Sequence, residues 1–442
     1  MSLKDFKETS SRWNCFKKTD TLGRFDFCTN IVSLESLHPQ NVHNISVDQM
    51  CVDPIEFETY QRYSKAFPLI AHEYTHFLDS TATVWGFNRL TLMESAYTCP
   101  LDNEHKFKVV KEFYDYCRRI KLPDYYTTYD KSVNAERPWK YFVTCGVEFT
   151  NIGTPSKRPI AFVRFFNADD EAITRTPISM VSLLENTAMA EELEVKAALV
   201  ERLMGEKSIE AHVLQKELMD YIYNPELTEY SVCAHLLANR QDCKDARVAF
   251  HCSGIISRLT LNATPMVFTT VRRNLDPYLR RYGIPKDSPP HRNIKAALKE
   301  ENHGILYYLI AMQLPDGCLD TLQTFVFGLA SSLRVLGIPV DTYMHHARDS
   351  VKQSADKLKN SRSEYFKVLA ESGLDNFEKL SKLGSPLVFS DFSLPPAILG
   401  DLSHYQFNPA EGNRLKDIDL EAMYSEMVKG QVRFEQFGMA CF

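Results

Sequence analysis

The residues His72-Glu73-Tyr74-Thr75-His76 place the strongest constraint on how this chain folds. They form an HExxH motif, with its two histidines four positions apart. On an α-helix, residues i and i+4 lie one above the other on the same face, so two imidazoles can converge on one ion. The glutamate between them then lies beside the open coordination position of that ion. The motif therefore predicts a helix with a metal site on one face.

The sequence around the motif favours this interpretation. Pro54 is typical of the first position of a helix, and Pro68 predicts the start of a second helix, because proline is tolerated in a first turn. Phe67, Ile70 and Tyr74 follow a 3.6-residue period and can pack against a core. The alternative interpretation is that both histidines are buried and that their ring nitrogens only satisfy hydrogen bonds.

A catalytic zinc ion requires a third protein ligand, and Glu185 is the first candidate. It lies 109 positions after His76 (185 − 76), on a helix predicted over Ser179–Met204 with Ser179 as its N-cap. Ala188, one turn further along, would let this helix approach the motif closely. Glu192, two turns further along, could accept a hydrogen bond from a histidine N–H and orient that ring. The alternative is that both glutamates lie on a solvated face.

Two other acidic residues compete with Glu185. Glu94 lies 18 positions after His76 (94 − 76), and a helix-loop-helix turning near Gly86 could bring it back to the metal. Asp79 lies about one turn past His76, so binding the same ion would crowd the histidines, and an orienting role fits it better. The sequence favours Glu185 and leaves Glu94 open.

At these positions the chain resembles the gluzincins, the zinc metallopeptidases whose third zinc ligand is a glutamate on a later helix. Their HExxH matches in full. Glu185-Asn186-Thr187-Ala188 is similar to the glutamate helix of the neprilysin family, in which an aspartate follows the alanine; Met189 stands at that place here. The stretch Glu185 to Leu193 also resembles the glutamate helix of the antirepressor-cleaving metallopeptidases. The segment that ends at Glu94 resembles the glutamate segment of the zinc aminopeptidases. Its distance from the second histidine is one residue shorter than in that family, and no GAMEN-like segment lies upstream.

The resemblance implies a zinc ion bound by His72, His76 and Glu185, with Glu73 as the general base that takes a proton from the attacking water. It also implies a group that stabilises the oxyanion. Such families usually use a tyrosine, histidine or arginine for this purpose. The candidates here are Tyr223, Tyr230, His235 and the pair His345-His346, and no spacing selects among them.

The predicted fold class is α+β, with a small N-terminal and central β-sheet packed on the HExxH helix and a mainly α-helical C-terminal part. Strands are predicted over Phe25–Leu34 and His43–Val52. Tyr141–Thr150 and Ile160–Phe166 predict a β-hairpin, and this hairpin is a candidate for a sheet element near the metal site.

The C-terminal part is predicted to contain helices over His303–Leu314 and Leu322–Leu336, whereas the tail after Gly384 is predicted to be irregular. This organisation predicts a metallopeptidase core over residues 1–205 and a mainly helical region over residues 206–442.

Composition narrows the class of protein. A net charge of −6 and a pI near 6.1 give no sign of a nucleic-acid-binding surface. The polar, charged start of the chain lacks the apolar segment of a secretory signal, and the longest apolar stretch, Thr324 to Val335, is too short to span a bilayer. Eleven cysteines, scattered with no CxxC pair, indicate reduced thiols and a cytoplasmic protein.

The leading functional hypothesis is a zinc endopeptidase that cleaves intracellular proteins or peptides, with a possible regulatory protein partner. The alternative is a catalytically inactive, zincin-like protein that acts as a binding or regulatory module. A helical cluster of glutamate and histidine can also hold iron, but no second ExxH motif is present on another helix.

Overall fold

A computed structural model describes residues 22–51, 54–100, 107–120, 122–150, 153–205, 207–382, 384 and 386–441. Among the residues that the structure describes, helices make up 63% and strands 11%, the latter in two small sheets, which confirms the predicted α+β class. No single helix in the described ranges is long and apolar enough to cross a membrane, although the bent pair Leu322–Val335 and Val340–Lys359 meets that test when the two are taken together.

The helices and strands are numbered separately in chain order. The helices are α1 Pro39–Val42, α2 Phe57–Thr81, α3 Val84–Thr98, α4 Phe107–Ile120, α5 Met180–Arg202, α6 Lys207–Ile222, α7 Thr228–Gln241, α8 Ala246–Leu261, α9 Pro265–Arg281, α10 Pro289–Lys299, α11 His303–Gln313, α12 Leu322–Val335, α13 Val340–Lys359, α14 Glu364–Leu380 and α15 Leu420–Cys441. The strands are β1 Arg24–Asp26, β2 Ile31–Leu34, β3 Thr128–Tyr129, β4 Lys140–Phe149, β5 Pro155–Phe166, β6 Ala172–Pro177, β7 Ala397–Leu399 and β8 His404–Tyr405. We call α2 the HExxH helix and α5 the glutamate helix.

The chain forms two compact units that are discontinuous in sequence. The first comprises residues 1–121, 191–212 and 349–442, and the second comprises residues 122–190 and 213–348. The glutamate helix contributes residues to both. The predicted division into residues 1–205 and 206–442 stays a prediction.

The sheet of the first unit has the strand order β1-β2-β7-β8. Strands β1 and β2 form an antiparallel hairpin, and β7 pairs with β2 in parallel. The HExxH helix packs against β1 and β2, as predicted for the N-terminal sheet. The prediction of an irregular tail after Gly384 is wrong, because residues after 384 supply two strands of this sheet and the helix α15. Ala397 and Ile398 of β7 are fully buried, so this tail belongs to the core.

Two local predictions in this unit need correction. The strand predicted over residues 43–52 is absent from residues 43–51, since Val47–Cys51 is a 3-10 helix, and Val52 lies outside the described residues. Residues 25–34 form a hairpin rather than one strand, because the side chain of Asp26 accepts hydrogen bonds from the backbone N–H groups of Cys28 and Thr29 and turns the chain there.

The HExxH helix is also longer than the sequence predicts. Pro68 lies inside it rather than at its start, and helix begins at Phe57 rather than near Pro54. A proline in a helix interior removes one backbone hydrogen bond and costs about 3 kcal/mol. Here Pro68 is buried together with Phe67 and Ile70, and this apolar packing offsets the cost.

Arg89 of α3 connects the HExxH helix to the hairpin below it. Its guanidinium donates to the carbonyl oxygens of Phe27 and Ser80 and to the side-chain oxygen of Asn30. Ser80 is near the end of the HExxH helix, while Phe27 and Asn30 lie in the turn between β1 and β2. Because Arg89 is almost completely buried, these hydrogen bonds replace lost hydration and fix the helix on the hairpin.

The sheet of the second unit has the order β3-β6-β5-β4, with antiparallel pairing throughout. Strands β4 and β5 form the predicted hairpin. Its second strand begins at Pro155, five residues earlier than Ile160, so the connecting loop is shorter than predicted. Its proximity to the metal site stays a prediction.

The glutamate helix begins and ends close to the predicted positions. Ser179 accepts a hydrogen bond from the backbone N–H of Ser182 at 3.1 Å, so it caps the helix as predicted. The predicted helices over His303–Leu314 and Leu322–Leu336 are also present, as α11 and α12.

Candidate metal centre

The two histidines of the motif and Glu185 form a buried group that could hold a metal ion. One ligand atom from each of His72, His76 and Glu185 lies within 4.8 Å of the other two. The Nε2 atoms of the two imidazoles are 3.2 Å apart, as expected for histidines one helical turn apart that face a common point. The prediction that these three residues come together is therefore met by the geometry.

The donor set suits a catalytic zinc ion. Two imidazole nitrogens and one carboxylate oxygen are ligands that zinc accepts, and three protein ligands leave a coordination position for water or substrate. Burial, together with the neighbouring His72 ring, lowers the pKa of His76 well below its ordinary value. The ring is thus neutral, and neutral imidazole is the form that binds a metal.

Glu192 orients the first histidine. Its Oε2 lies 2.9 Å from Nδ1 of His72, which confirms the hydrogen bond predicted from the spacing of Glu185 and Glu192. Its Oε1 lies 2.7 Å from Nζ of Lys196, one turn further along the glutamate helix. Burial raises the pKa of Glu192, but the hydrogen bond from His72 and the charge of Lys196 outweigh it and lower that pKa to about 2. The ionised carboxylate holds Nδ1–H, so Nε2 of His72 carries the lone pair for the metal.

We expect Glu192→Gln to weaken zinc binding by about 10- to 100-fold, because the charge that fixes the tautomer and orientation of His72 is lost. Competition with a chromophoric chelator measures this affinity. Glu201→Gln is the matched control, since Glu201 is an exposed residue of the same helix. Equal zinc affinity in Glu192→Gln and wild type would show that this hydrogen bond does not support the site.

The start of the HExxH helix is tied to the end of the glutamate helix within the first unit. The backbone N–H of Ile55 donates to the carbonyl of Arg202 at 3.0 Å, and that of Met204 donates to the carbonyl of Ile55 at 2.9 Å. Tyr74, inside the motif, donates its hydroxyl to the carbonyl of Pro395 at 2.7 Å. These contacts fix the position and rotation of the HExxH helix.

Glu73 lies close to Gly23, the residue directly before strand β1. A Cβ atom placed on Gly23 would be 3.1 Å from Oε1 of Glu73 and 3.0 Å from Cδ1 of Leu69, so a side chain at position 23 would crowd this carboxylate. Sequence reasoning missed this contact, because Gly23 is 50 positions away (73 − 23) and no local pattern marks it. It also missed the ion pair of Glu192 with Lys196, although the i, i+4 spacing was visible.

The competing acidic residues have other surroundings. Glu94 is half-buried, and its Oε1 accepts a hydrogen bond from the hydroxyl of Ser361 at 2.6 Å. Asp79 is fully buried on the HExxH helix. Within the described ranges, neither belongs to the group formed by the two histidines and Glu185.

No protein-family model matches this chain. No curated protein and no solved structure matches it either. The candidate metal centre is therefore interpreted from its own geometry and chemistry.

His235, one of the candidates for oxyanion stabilisation, is a core residue of the second unit. Its ring stacks on Trp139 at 5.5 Å between centroids and lies edge-on to Tyr223 at 5.1 Å. Its Nε2 is 2.8 Å from the carbonyl oxygen of Ile222, to which it donates a hydrogen bond. Burial lowers the pKa of His235 to about 4, although the hydrogen bond to Ile222 opposes this. These contacts indicate that His235 packs in the core of the second unit, and they do not favour it for oxyanion stabilisation.

Proposed function

We propose that this protein is a zinc-dependent endopeptidase that hydrolyses peptide bonds in intracellular proteins or peptides. His72, His76 and Glu185 bind the ion, and Glu73 is the general base. The observation that carries the proposal is the buried group of two imidazoles and one carboxylate, with a further buried glutamate directly after the first histidine.

The proposed metal ligands determine the charge of the site. The two neutral imidazoles and the carboxylate of Glu185 offer one negative charge, so a divalent ion bound there keeps a net positive charge. A zinc ion in such a site lowers the pKa of water towards neutrality and polarises a carbonyl group. Glu192 contributes by holding His72 in the orientation that binding requires.

Glu73 has a position that suits proton transfer. It is next to His72 in the chain, it is 97% buried, and Gly23 leaves space for its carboxylate. In the proposed reaction it takes a proton from the attacking water and then gives it to the leaving amine. Burying a carboxylate costs free energy. A structural metal site has no use for a buried carboxylate at this position, which favours a catalytic role over an inactive one.

The proposal is tested by metal analysis together with a peptide-cleavage screen on the full-length protein. We expect about one zinc ion per chain, as in zinc sites with three protein ligands and an open position. We also expect cleavage in a proteome-derived peptide library that a chelator abolishes and added zinc restores. Zinc-replete protein that leaves the whole library intact would support the alternative, an inactive zincin-like binding module. Iron in place of zinc would indicate different chemistry.

A further inference from the structure

A groove of about 410 Å³ lies on the sheet of the second unit, over strands β5 and β6 and the segment that begins at β3. Three cationic side chains line it, those of Lys131, Arg164 and Arg175. Its acidic lining residue is Asp130. The lining thus has a net charge of +2 (3 − 1), although the whole chain has a net charge of −6.

Strand register places the two arginines directly opposite each other. Arg164 of β5 and Arg175 of β6 are Cα partners in the antiparallel ladder, so both side chains lie on the same face of the sheet. Thr128 pairs with Arg175 and Phe142 pairs with Arg164, which completes a row across all four strands. Like charges in directly opposed positions destabilise a sheet. The register therefore places two arginine side chains side by side on one face, at a cost in stability.

Neighbouring groups hold Arg175 but do not neutralise it. Its Nη2 donates to the carbonyl oxygen of Tyr125 at 3.2 Å, and its guanidinium lies 5.1 Å from the ring centroid of Phe162. Arg164 is exposed, and within the described part of the chain no acidic side chain forms an ion pair with either arginine.

The other charges of the groove are already engaged. Lys131 pairs with Glu226, with 3.5 Å between Nζ and Oε1. Asp130 accepts hydrogen bonds from the hydroxyl and the backbone N–H of Ser132, which lower its pKa. Because the carboxylate of Asp130 is hydrogen-bonded to Ser132, it does not pair with the two arginines. Both arginines therefore stay available to an external anion.

We propose that this groove binds an oxyanion, a phosphate or carboxylate group, carried by a peptide. Two guanidinium groups on one face can each donate paired hydrogen bonds to such a group. An anion between them also relieves their mutual repulsion. Phe142, which is 63% exposed and directly opposite Arg164, offers an apolar contact for a neighbouring residue of the peptide.

The surrounding charges favour a peptide over a nucleic acid. The turn between β5 and β6 carries Asp169, Asp170 and Glu171 immediately before Ala172, which lines the groove. A strand with regularly spaced phosphates would bring some of them close to these carboxylates. A peptide with one anionic side chain avoids that repulsion.

The test is fluorescence anisotropy with a labelled phosphoserine peptide and its glutamate counterpart, on the full-length chain. We expect Arg164→Gln and Arg175→Gln each to weaken binding at least about tenfold, since a charge-assisted hydrogen bond contributes that much or more. Arg281→Gln removes the same charge from an exposed position of α9 outside the groove and should bind like wild type.

A second measurement separates a binding site from general surface charge. Without peptide and at low salt, Arg164→Gln should melt about 1–2 °C higher than wild type, because it removes a like-charge pair. At the same peptide concentration, wild type should gain more thermal stability than Arg164→Gln.

Three outcomes would overturn the proposal. These are undiminished peptide binding by Arg164→Gln, equal binding of free inorganic phosphate and the peptide, and tighter binding of a single-stranded oligonucleotide than of the peptide. None involves the metal centre, so failure here leaves the proposed peptidase activity standing.

Discussion

Replacing Glu185 with glutamine is expected to strip zinc from the protein, lowering its affinity by about a hundredfold or more. The loss of a residue that only orients a ligand typically costs 10- to 100-fold, and Glu185 is proposed as a direct ligand. The amide has no negative charge to offset that of the ion. Two imidazoles would remain, with their Nε2 atoms 3.2 Å apart, and two ligands hold zinc poorly.

Glu94→Gln is the decisive comparison for this variant. Both changes replace a carboxylate with an amide of the same shape, and both positions were candidates for the third ligand. Because Glu94 bonds to Ser361 and is not part of the buried group, Glu94→Gln should keep its zinc. Zinc content after gel filtration and circular dichroism of each variant are the measurements. Zinc retained in a folded Glu185→Gln variant, or lost from a folded Glu94→Gln variant, would refute the assignment of Glu185.

The parts of the site that the sequence predicts are those that depend on helical period. The i, i+4 spacing of His72 and His76 and the seven-residue spacing of Glu185 and Glu192 each place side chains on one helix face, whatever the rest of the chain does. Once the two helices are adjacent, these spacings bring Glu192 within hydrogen-bonding distance of His72.

The parts that could not be predicted depend on contacts between distant segments. Strand β7 is three residues long and pairs in parallel with β2, more than 360 positions earlier, so no local pattern reveals it (397 − 31 = 366). Its neighbourhood is rich in proline and glycine, which is typical of irregular structure. Pro68 was misinterpreted for a similar reason, since burial among apolar side chains overrode its local preference.

The candidate centre combines both kinds of information. The HExxH helix is held at its start by the bridge at Ile55, at its middle by Tyr74, and near its end by Arg89. The partners of Ile55 and Tyr74, Arg202 and Pro395, come from segments far away in the sequence, and Arg89 joins the helix to the distant hairpin through Phe27. Local period thus determines which side chains share a face, whereas distant contacts determine where that face lies. A proposed catalytic site with several fixed anchors is consistent with chemistry that requires accurate positioning.

Glu73→Gln is expected to lower kcat/KM for peptide hydrolysis by about 10²- to 10⁴-fold, the range typical of losing a general base. The amide matches the carboxylate in shape, so it should fit the space beside Gly23 and leave the fold unchanged. Since Glu73 is not one of the three proposed ligands, the zinc content should stay at the wild-type level.

Glu58→Gln serves as the matched control for that variant, because Glu58 is an exposed residue in the first turn of the same helix. It removes the same charge and should retain full activity. The comparison requires a peptide substrate from the cleavage screen, the zinc content of each variant and a melting curve. Wild-type hydrolysis by zinc-loaded Glu73→Gln would exclude Glu73 as the base. A loss of activity accompanied by a loss of zinc would instead assign Glu73 to metal binding, contrary to the role proposed here. We expect the variant to retain zinc and to lose hydrolysis, because Glu73 is a buried carboxylate next to a proposed ligand but is not itself a ligand.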